Sequence, residues 1–200
     1  MDQAGLTWWA VTLVVRDAKS SNPETTALVV LRASLCIVDS ATCEDPVVDL
    51  ENISNDLGRL AAAYDEDLDG DGTGGWASFD GRVLFVEDLE VEPHWRGRHL
   101  ATATILVAAA ILGDAIRIVV EPAALSWRPD GGEAGSGGWQ QLGFTALAGS
   151  DDHSGVYSVA TGVGCFTAQL VVAQEALNHL RFTAEDVEWW REGGSSSTAT

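Results

Sequence analysis

Residues 83–112 constrain the fold of this chain most strongly, because a strand pattern, a turn and a helix pattern follow one another there. Residues 83–86 are strand formers, and apolar and acidic residues partly alternate over 87–92. Pro93 has no N–H to give to a sheet, so we expect the strand to end at this proline. From Leu100 the sequence ATATILVAAAIL contains no glycine, proline or charge, which predicts a buried helix that ends at the following glycine.

The turn between the expected strand and helix, residues 94–99, reads His-Trp-Arg-Gly-Arg-His. The first turn of a helix has free N–H groups and the positive end of the helix dipole, so it attracts anions. Arg96 and Arg98 beside it would strengthen the attraction for phosphate. A strand that leads into such a helix start suggests a nucleotide-like ligand.

These residues carry a resemblance to a known family. Val91-x-Pro93-x-x-Arg96-Gly97-x-x-Leu100-Ala101 resembles the acetyl-coenzyme A signature of the GNAT superfamily of N-acetyltransferases, whose motif is Arg or Gln-x-x-Gly-x-Gly or Ala. Residues 139–144, Trp-Gln-Gln-Leu-Gly-Phe, are similar to the family's aromatic-x-x-Leu-Gly-Phe segment. A strand candidate at 116–121 lies between the two landmarks, which therefore come in the family's order. The resemblance covers about residues 81–161.

The resemblance implies an α/β (α+β) fold, with a mixed, mostly antiparallel central sheet, a splayed strand pair and helices on both faces. It also implies that acetyl-CoA binds with its pantetheine arm along the first strand of that pair and its diphosphate on the amides of the turn. The cofactor-binding residues so implied are Leu89, Val91, Arg96, Gly97, Arg98, His99, Leu100, Ala101 and Thr102. We expect a GNAT-like domain over 1–165, a C-terminal helical extension over 166–192 and a disordered tail over 193–200.

Two residues depart from the family's pattern. His99 stands where the family usually has the motif's glycine, so a side chain must be accommodated beside the diphosphate. Trp139 holds the place where the family usually offers a tyrosine that protonates the departing thiolate, and an indole N–H is no useful acid. Both departures favour an alternative function, in which a degenerate relative binds acyl-CoA or a partner protein without catalysis.

The leading expectation is acetyl-CoA-dependent N-acetyltransfer to a cationic amine, either a small molecule or a protein amine. An amine must lose a proton to become a nucleophile, so the reaction needs a base. The candidates are carboxylates at the splay, namely Glu87 and Glu90 on the first strand and Glu121 at the end of the facing strand. The alternative is an acidic sheet face that only attracts substrate, and His94 and His99 are alternative bases.

Composition limits the partners. Eleven basic and thirty acidic residues give a net charge of −19, which opposes binding of nucleic acid and attracts a cation, although acidity can also serve solubility. Three cysteines without a CxxC spacing predict neither a disulfide framework nor a metal site and favour a reducing cytoplasm. No apolar run approaches the about 20 residues that a membrane helix needs, so we expect a soluble cytoplasmic protein that binds no membrane.

The rest of the chain gives a coarser set of expectations. They are an antiparallel hairpin of residues 8–15 and 26–38, a helix capped by Ser54, a flexible loop over 131–138, a closing hairpin of 145–148 and 156–160, and a helix over 167–180. In the GNAT fold helices usually follow the first strand, so a hairpin before the first helix is a departure from that order.

Two acidic patterns allow more than one interpretation. Residues 65–72, Asp-Glu-Asp-Leu-Asp-Gly-Asp-Gly, resemble the start of a calcium loop, but the twelfth position is Ser78 or Trp76 instead of glutamate. An acidic hairpin loop beside the acceptor entrance is therefore expected instead. Thr183 and Asp186 resemble a capping box that opens a short helix, whose paired tryptophans at 189–190 suit packing or a homodimer contact.

Overall fold

The computed structural model describes residues 5–16, 27–69, 75–112, 117–121, 139–140, 143–147, 155–161, 164–178 and 186. The strands are β1 (Leu6–Arg16), β2 (Ala27–Asp39), β3 (Arg82–Val91), β4 (Arg117–Val120), β5 (Thr145–Ala146) and β6 (Tyr157–Ala160). The α-helices are α1 (Pro46–Glu51), α2 (Asn55–Asp69), α3 (Leu100–Leu112) and α4 (Gly164–Asn178).

All six strands form one mixed sheet in the order β1-β2-β3-β4-β6-β5. Every neighbouring pair is antiparallel except β3 and β4, which run parallel because α3 carries the chain back across the sheet. The expected mixed, mostly antiparallel α/β fold is therefore confirmed.

The parallel pair is short. Pairing between β3 and β4 extends only from Val83 opposite Arg117 to Phe85 opposite Val119, and β4 ends at Val120. Beyond that point β3 continues to Val91, and none of the described strands pairs with it on that side. We refer to this side of β3, which has no partner among the described strands, as the gap.

A β-bulge lies on β3 where the gap begins. Asp88 lies opposite Ser34 and Val86 opposite Leu35, so Glu87 between them has no cross-strand partner. Val86 and Leu89, three residues apart, consequently lie in the same side of the core. The bulge therefore turns both Glu87 and Asp88 toward the opposite face of the sheet.

Helices cover both faces of the sheet. On one face α3 packs against α4, and their apolar side chains share a core with Leu84, Val86 and Leu89. On the other face α1 and α2 share a second core with Phe85 and neighbouring sheet residues. The hydrophobic helix α3 is buried along most of its length, as its uncharged sequence predicts.

Several elements lie where the sequence places them. The N-terminal hairpin is confirmed as β1 and β2, the closing hairpin as β5 and β6, and the late helix as α4. α1 was not predicted, although Asp45 caps it through Val48 N–H at 3.1 Å and Pro46 opens it. An aspartate followed by proline is a usual helix start, so this signal was available in the sequence.

The acidic hairpin loop is wrong for residues 65–69, because α2 continues to Asp69. Asp65 accepts a hydrogen bond from the Trp76 N–H at 2.8 Å, so its carboxylate anchors the chain that returns to the sheet. Residues 70–72, the 131–138 loop, the paired tryptophans and the 193–200 tail lie outside the described residues. None of the helices that the structure describes combines the length and the apolar character needed to cross a membrane.

Candidate functional site

The free edge of β3 faces the gap. Glu92 N–H donates to the Val30 carbonyl at 3.0 Å, so this residue directs its N–H toward β2. Backbone groups alternate in direction along a strand, and Leu89 and Val91 therefore direct theirs toward the gap. The two residues implied to hold the pantetheine arm thus present backbone groups to the open side of the strand.

Arg96 lies beside this edge and reaches back onto it. Its Nε donates to the Val91 carbonyl at 3.1 Å, while the rest of the half-buried side chain remains partly open to solvent. The contact fixes the arginine at the corner where β3 leaves the sheet and the turn begins.

The turn has the backbone shape of a glycine-containing loop. Gly97 has φ +75° and His99 has φ +57°, both in the left-handed region. The imidazole of His99 is exposed, whereas its carbonyl accepts from Ala103 N–H at 3.1 Å and Thr102 Oγ1 at 3.0 Å. His99 therefore adopts a left-handed conformation that favours glycine, directly before α3.

α3 begins at Leu100, directly after the turn that follows β3. Its first-turn amides belong to Leu100, Ala101 and Thr102, and the side chains of all three are buried. These N–H groups have no partner within the helix, and no acidic side chain lies in the first turn to compensate the dipole. The arrangement has the chemistry of an anion site.

Arg98 is engaged by a carboxylate distant in sequence. Its two terminal nitrogens donate to Asp186 Oδ1 at 2.6 Å and Oδ2 at 3.1 Å, and its guanidinium stacks 4.5 Å from the Trp95 ring centre. His94 Nε2 also contacts Asp186 Oδ1, at 2.6 Å. The Asp186 side chain is fully buried. Asp186 was expected to cap a helix, and its contacts with the turn were not foreseen.

Glu87 is a half-buried candidate base whose carboxyl has a shifted pKa. The bulge places it half-buried beside the start of α2, where burial raises the pKa of its carboxyl, a hydrogen bond from Ser54 lowers it, and Asp88 and Asp56 raise it further. A carboxyl whose pKa is raised in this way holds a proton more readily than a solvated one. That property suits a group that must accept a proton and release it in each turnover.

Glu121 is differently placed. It follows β4, is largely buried, and forms an ion pair with Arg59 of α2. The hydrogen bond to Glu121 also raises the pKa of the Arg59 guanidinium. The carboxylate of Glu121 is therefore engaged by a guanidinium, whereas Glu87 has neighbouring carboxylates. Asp56, at the start of α2, lies 3.6 Å from Arg59, the partner of Glu121. Its charge also raises the pKa of Glu87.

Glu90, the third candidate base, lies apart from Glu87 and Glu121. It is exposed on β3, opposite Arg32 of β2, near the far end of the open strand. Together with Asp88 it makes that end of the α1/α2 face acidic and accessible, which suits attraction of a cation better than proton transfer.

Trp139 is a core residue. Its ring is buried among α3 and α4 side chains and packs edge-to-face on Phe144 at 5.0 Å, and Phe144 N–H donates to the Trp139 carbonyl at 3.1 Å. The indole therefore fills the core and contributes no acid to the gap.

Three residues at the site were not foreseen as functional: Arg59, Trp95 and Asp186. Arg59 and Asp186 act through partners more than sixty residues away in the chain, and no local pattern in the sequence indicates such pairs. Trp95 had a local signal, since an aromatic residue beside two arginines is suited to stack on a guanidinium.

Comparisons of the chain with protein-family models, with curated proteins and with solved structures give no match. The class that the fold defines is a mixed α/β protein with a six-stranded, mostly antiparallel sheet that contains one parallel strand pair.

Proposed function

We propose that this protein is an acetyl-CoA-dependent N-acetyltransferase that acts on a cationic amine, either a small molecule or a protein amine. The observation that carries the proposal is the order of the elements: β3 runs past its last pair with β4, and the turn that follows leads into the N-terminus of α3. The strand edge has no partner among the described strands and the first-turn amides have none within the helix, at residues that resemble the coenzyme signature of the GNAT superfamily.

In the proposed complex, acetyl-CoA extends from the turn into the gap. Its diphosphate accepts hydrogen bonds from the first-turn amides of α3, with Arg96 beside it, and its pantetheine amides pair with the backbone of Leu89 and Val91. This placement brings the thioester to the bulge, where β3 and β4 begin to part.

The amine approaches from the α1/α2 face, where Asp88 and Glu90 are exposed and Glu87 is half-buried. Glu87 takes a proton from the ammonium group, directly or through water. The neutral nitrogen then forms the new C–N bond while the C–S bond breaks. The coenzyme leaves as a thiolate. The nitrogen of the new amide releases its second proton to solvent, and the thiolate takes up a proton from solvent, because buried Trp139 offers no acid.

The first test is calorimetric titration of acetyl-CoA into the protein and into two matched variants, His99→Asp and His99→Asn. Both asparagine and aspartate tolerate the left-handed conformation, so both variants should fold. Only the aspartate places a negative charge against the α3 amides, where it repels the diphosphate and satisfies the N–H groups itself. We expect micromolar binding by the wild type.

We expect His99→Asp to bind at least about tenfold more weakly than His99→Asn. Equal binding by the two variants, or no binding by the folded wild type, would contradict the proposed coenzyme site. The second step is release of free thiol from acetyl-CoA in the presence of a panel of amines. Binding without thiol release under any condition would instead support an acyl-CoA-binding protein without catalysis.

A further inference from the structure

The contact between Arg98 and Asp186 has the form of an anion-recognition contact. A guanidinium binds a carboxylate and a phosphate with the same fork of two parallel N–H donors. In Arg98 that fork is filled by both oxygens of Asp186, at 2.6 and 3.1 Å. Stacking on Trp95 at 4.5 Å holds the guanidinium plane in this orientation.

The position of this contact is informative. Arg98 lies two residues before α3, on the turn whose neighbouring amides have no partner within the helix. Arg98 is the second of the two arginines in the turn, yet its charge is neutralised by a fully buried carboxylate, that of Asp186. His94, four residues earlier, contacts the same carboxylate oxygen at 2.6 Å.

Stability alone is a weak reason for such a contact. Removing two charges from water offsets much of their mutual attraction, so a buried ion pair is often no more stabilising than apolar side chains of the same volume. A carboxylate that pairs with the arginine of an anion-binding turn does, however, affect the affinity of that turn for anions.

We propose that Asp186 is an internal competitor of the coenzyme's phosphates. Its carboxylate occupies Arg98 in place of a phosphate and so lowers the affinity of the turn for anions. The inference rests on the proposed function, in that it takes this turn to be the coenzyme site. A phosphate group that gains Arg98 must displace Asp186 or share the guanidinium with it, so anion binding and the contact between Arg98 and Asp186 oppose each other.

The experiment is calorimetric titration at fixed ionic strength with two probes, acetyl-CoA and inorganic pyrophosphate. Asp186→Asn keeps the shape of the side chain and removes its charge. The matched control is Glu51→Gln, an exposed carboxylate at the end of α1 that is distant in the fold, so it reports the effect of one unit of net charge. The double variant Asp186→Asn, Arg98→Gln removes both members of the ion pair.

We expect Asp186→Asn to bind both probes at least about tenfold more tightly than the wild type, as for one charge-assisted hydrogen bond gained. The double variant should lose that gain, and the Glu51→Gln control should stay within about twofold of the wild type, since distant exposed charges are screened. Structural damage does not increase affinity. Binding by folded Asp186→Asn that is equal to or weaker than wild-type binding overturns the proposal, as does a gain that persists in the double variant.

The outcomes separate this inference from the proposed function. Acetyl-CoA binding by the wild type with no gain in Asp186→Asn refutes the inference alone, whereas a gain for pyrophosphate without any acetyl-CoA binding refutes the proposed function alone. No anion binding by any folded variant refutes both. If Asp186→Asn does not fold, the double variant decides: wild-type affinity for acetyl-CoA is expected, because Arg98 contributes nothing while paired, and a loss beyond about tenfold overturns the proposal.

Discussion

Replacement of His99 by glycine is expected to stabilise the protein, although a glycine inside a helix usually has the opposite effect. His99 has φ +57°, and the left-handed conformation costs a residue with a Cβ about 1–2 kcal/mol. Glycine removes that cost but adds about 0.4–1 kcal/mol of chain entropy to the unfolded state. The exposed imidazole makes no hydrogen bond to the described residues, and its backbone contacts with Thr102 and Ala103 do not depend on the side chain.

The net expectation is a gain of about 0.5–1 kcal/mol, or a rise in Tm of about 1–4 °C for a chain of this size. Urea unfolding followed by circular dichroism measures the free energy directly. Two controls bracket the result. Ala110→Gly, at an exposed position of α3, should lose about 0.5–1 kcal/mol.

The second control, Gly97→Ala, tests the same argument in reverse. Gly97 has φ +75°, and a Cβ there meets no atom within 4 Å, so backbone strain is the only cost. This variant should be less stable than the wild type by about 0.5–1 kcal/mol. The reasoning is refuted if His99→Gly destabilises the protein as much as Ala110→Gly does, because the left-handed conformation would then impose no strain on His99.

Two further predictions concern titrating groups. Because burial raises the pKa of Glu87, the acidic limb of kcat/KM should lie above the range usual for a glutamate, and Glu87→Gln should remove that limb and lower kcat by about 10²-fold or more. The same raised pKa means that the stabilisation from neutral Glu87 is present at low pH and lost as pH rises. Glu87→Gln should therefore raise Tm at pH 7 and leave it unchanged near pH 4. The reverse pattern would contradict the assignment. Burial raises the pKa of Cys36 and Cys43 to about 12, so neither thiol should react with a disulfide reagent at pH 8 in the native protein, whereas both should react in denaturant; peptide mass spectrometry distinguishes them from Cys165.

Sequence patterns predicted the elements whose causes are local. The strand before Pro93 and the helix from Leu100 depend on propensity, on a residue without an N–H and on an uninterrupted apolar run, and all three are visible within a few residues. The hairpin of β1 and β2 has equally local signals. The short helix α1 had a local signal too, in Asp45 followed by Pro46, although it was not predicted.

The features that shape the site have causes at long range. The bulge at Glu87 depends on how β3 matches β2, and the alternation of acidic and apolar residues over 87–92 fits a regular strand as well as a bulged one. Arg59 finds Glu121, and Arg98 finds Asp186, only after the sheet and helices have assembled. The sequence therefore predicts which residues are candidates for the site, but it does not predict the contacts that give these residues different roles.

Those contacts bear on how one protein could bind two oppositely charged substrates. Near the gap, Arg59 and Arg98 are each neutralised by a carboxylate, while Arg96 donates through its Nε to a carbonyl. In the proposed reaction the coenzyme's phosphates therefore depend chiefly on backbone amides, whose dipoles do not titrate and act only over the first helical turn. The acidic groups that attract the amine lie on the α1/α2 face, while the amides lie at the N-terminal end of α3. The sheet therefore lies between the negative charges that attract the amine and the positive helix end that attracts the coenzyme. Coenzyme binding then depends on the backbone conformation at residues 97–99 more than on the net charge of −19, and His99 becomes the residue at which affinity and stability are decided together.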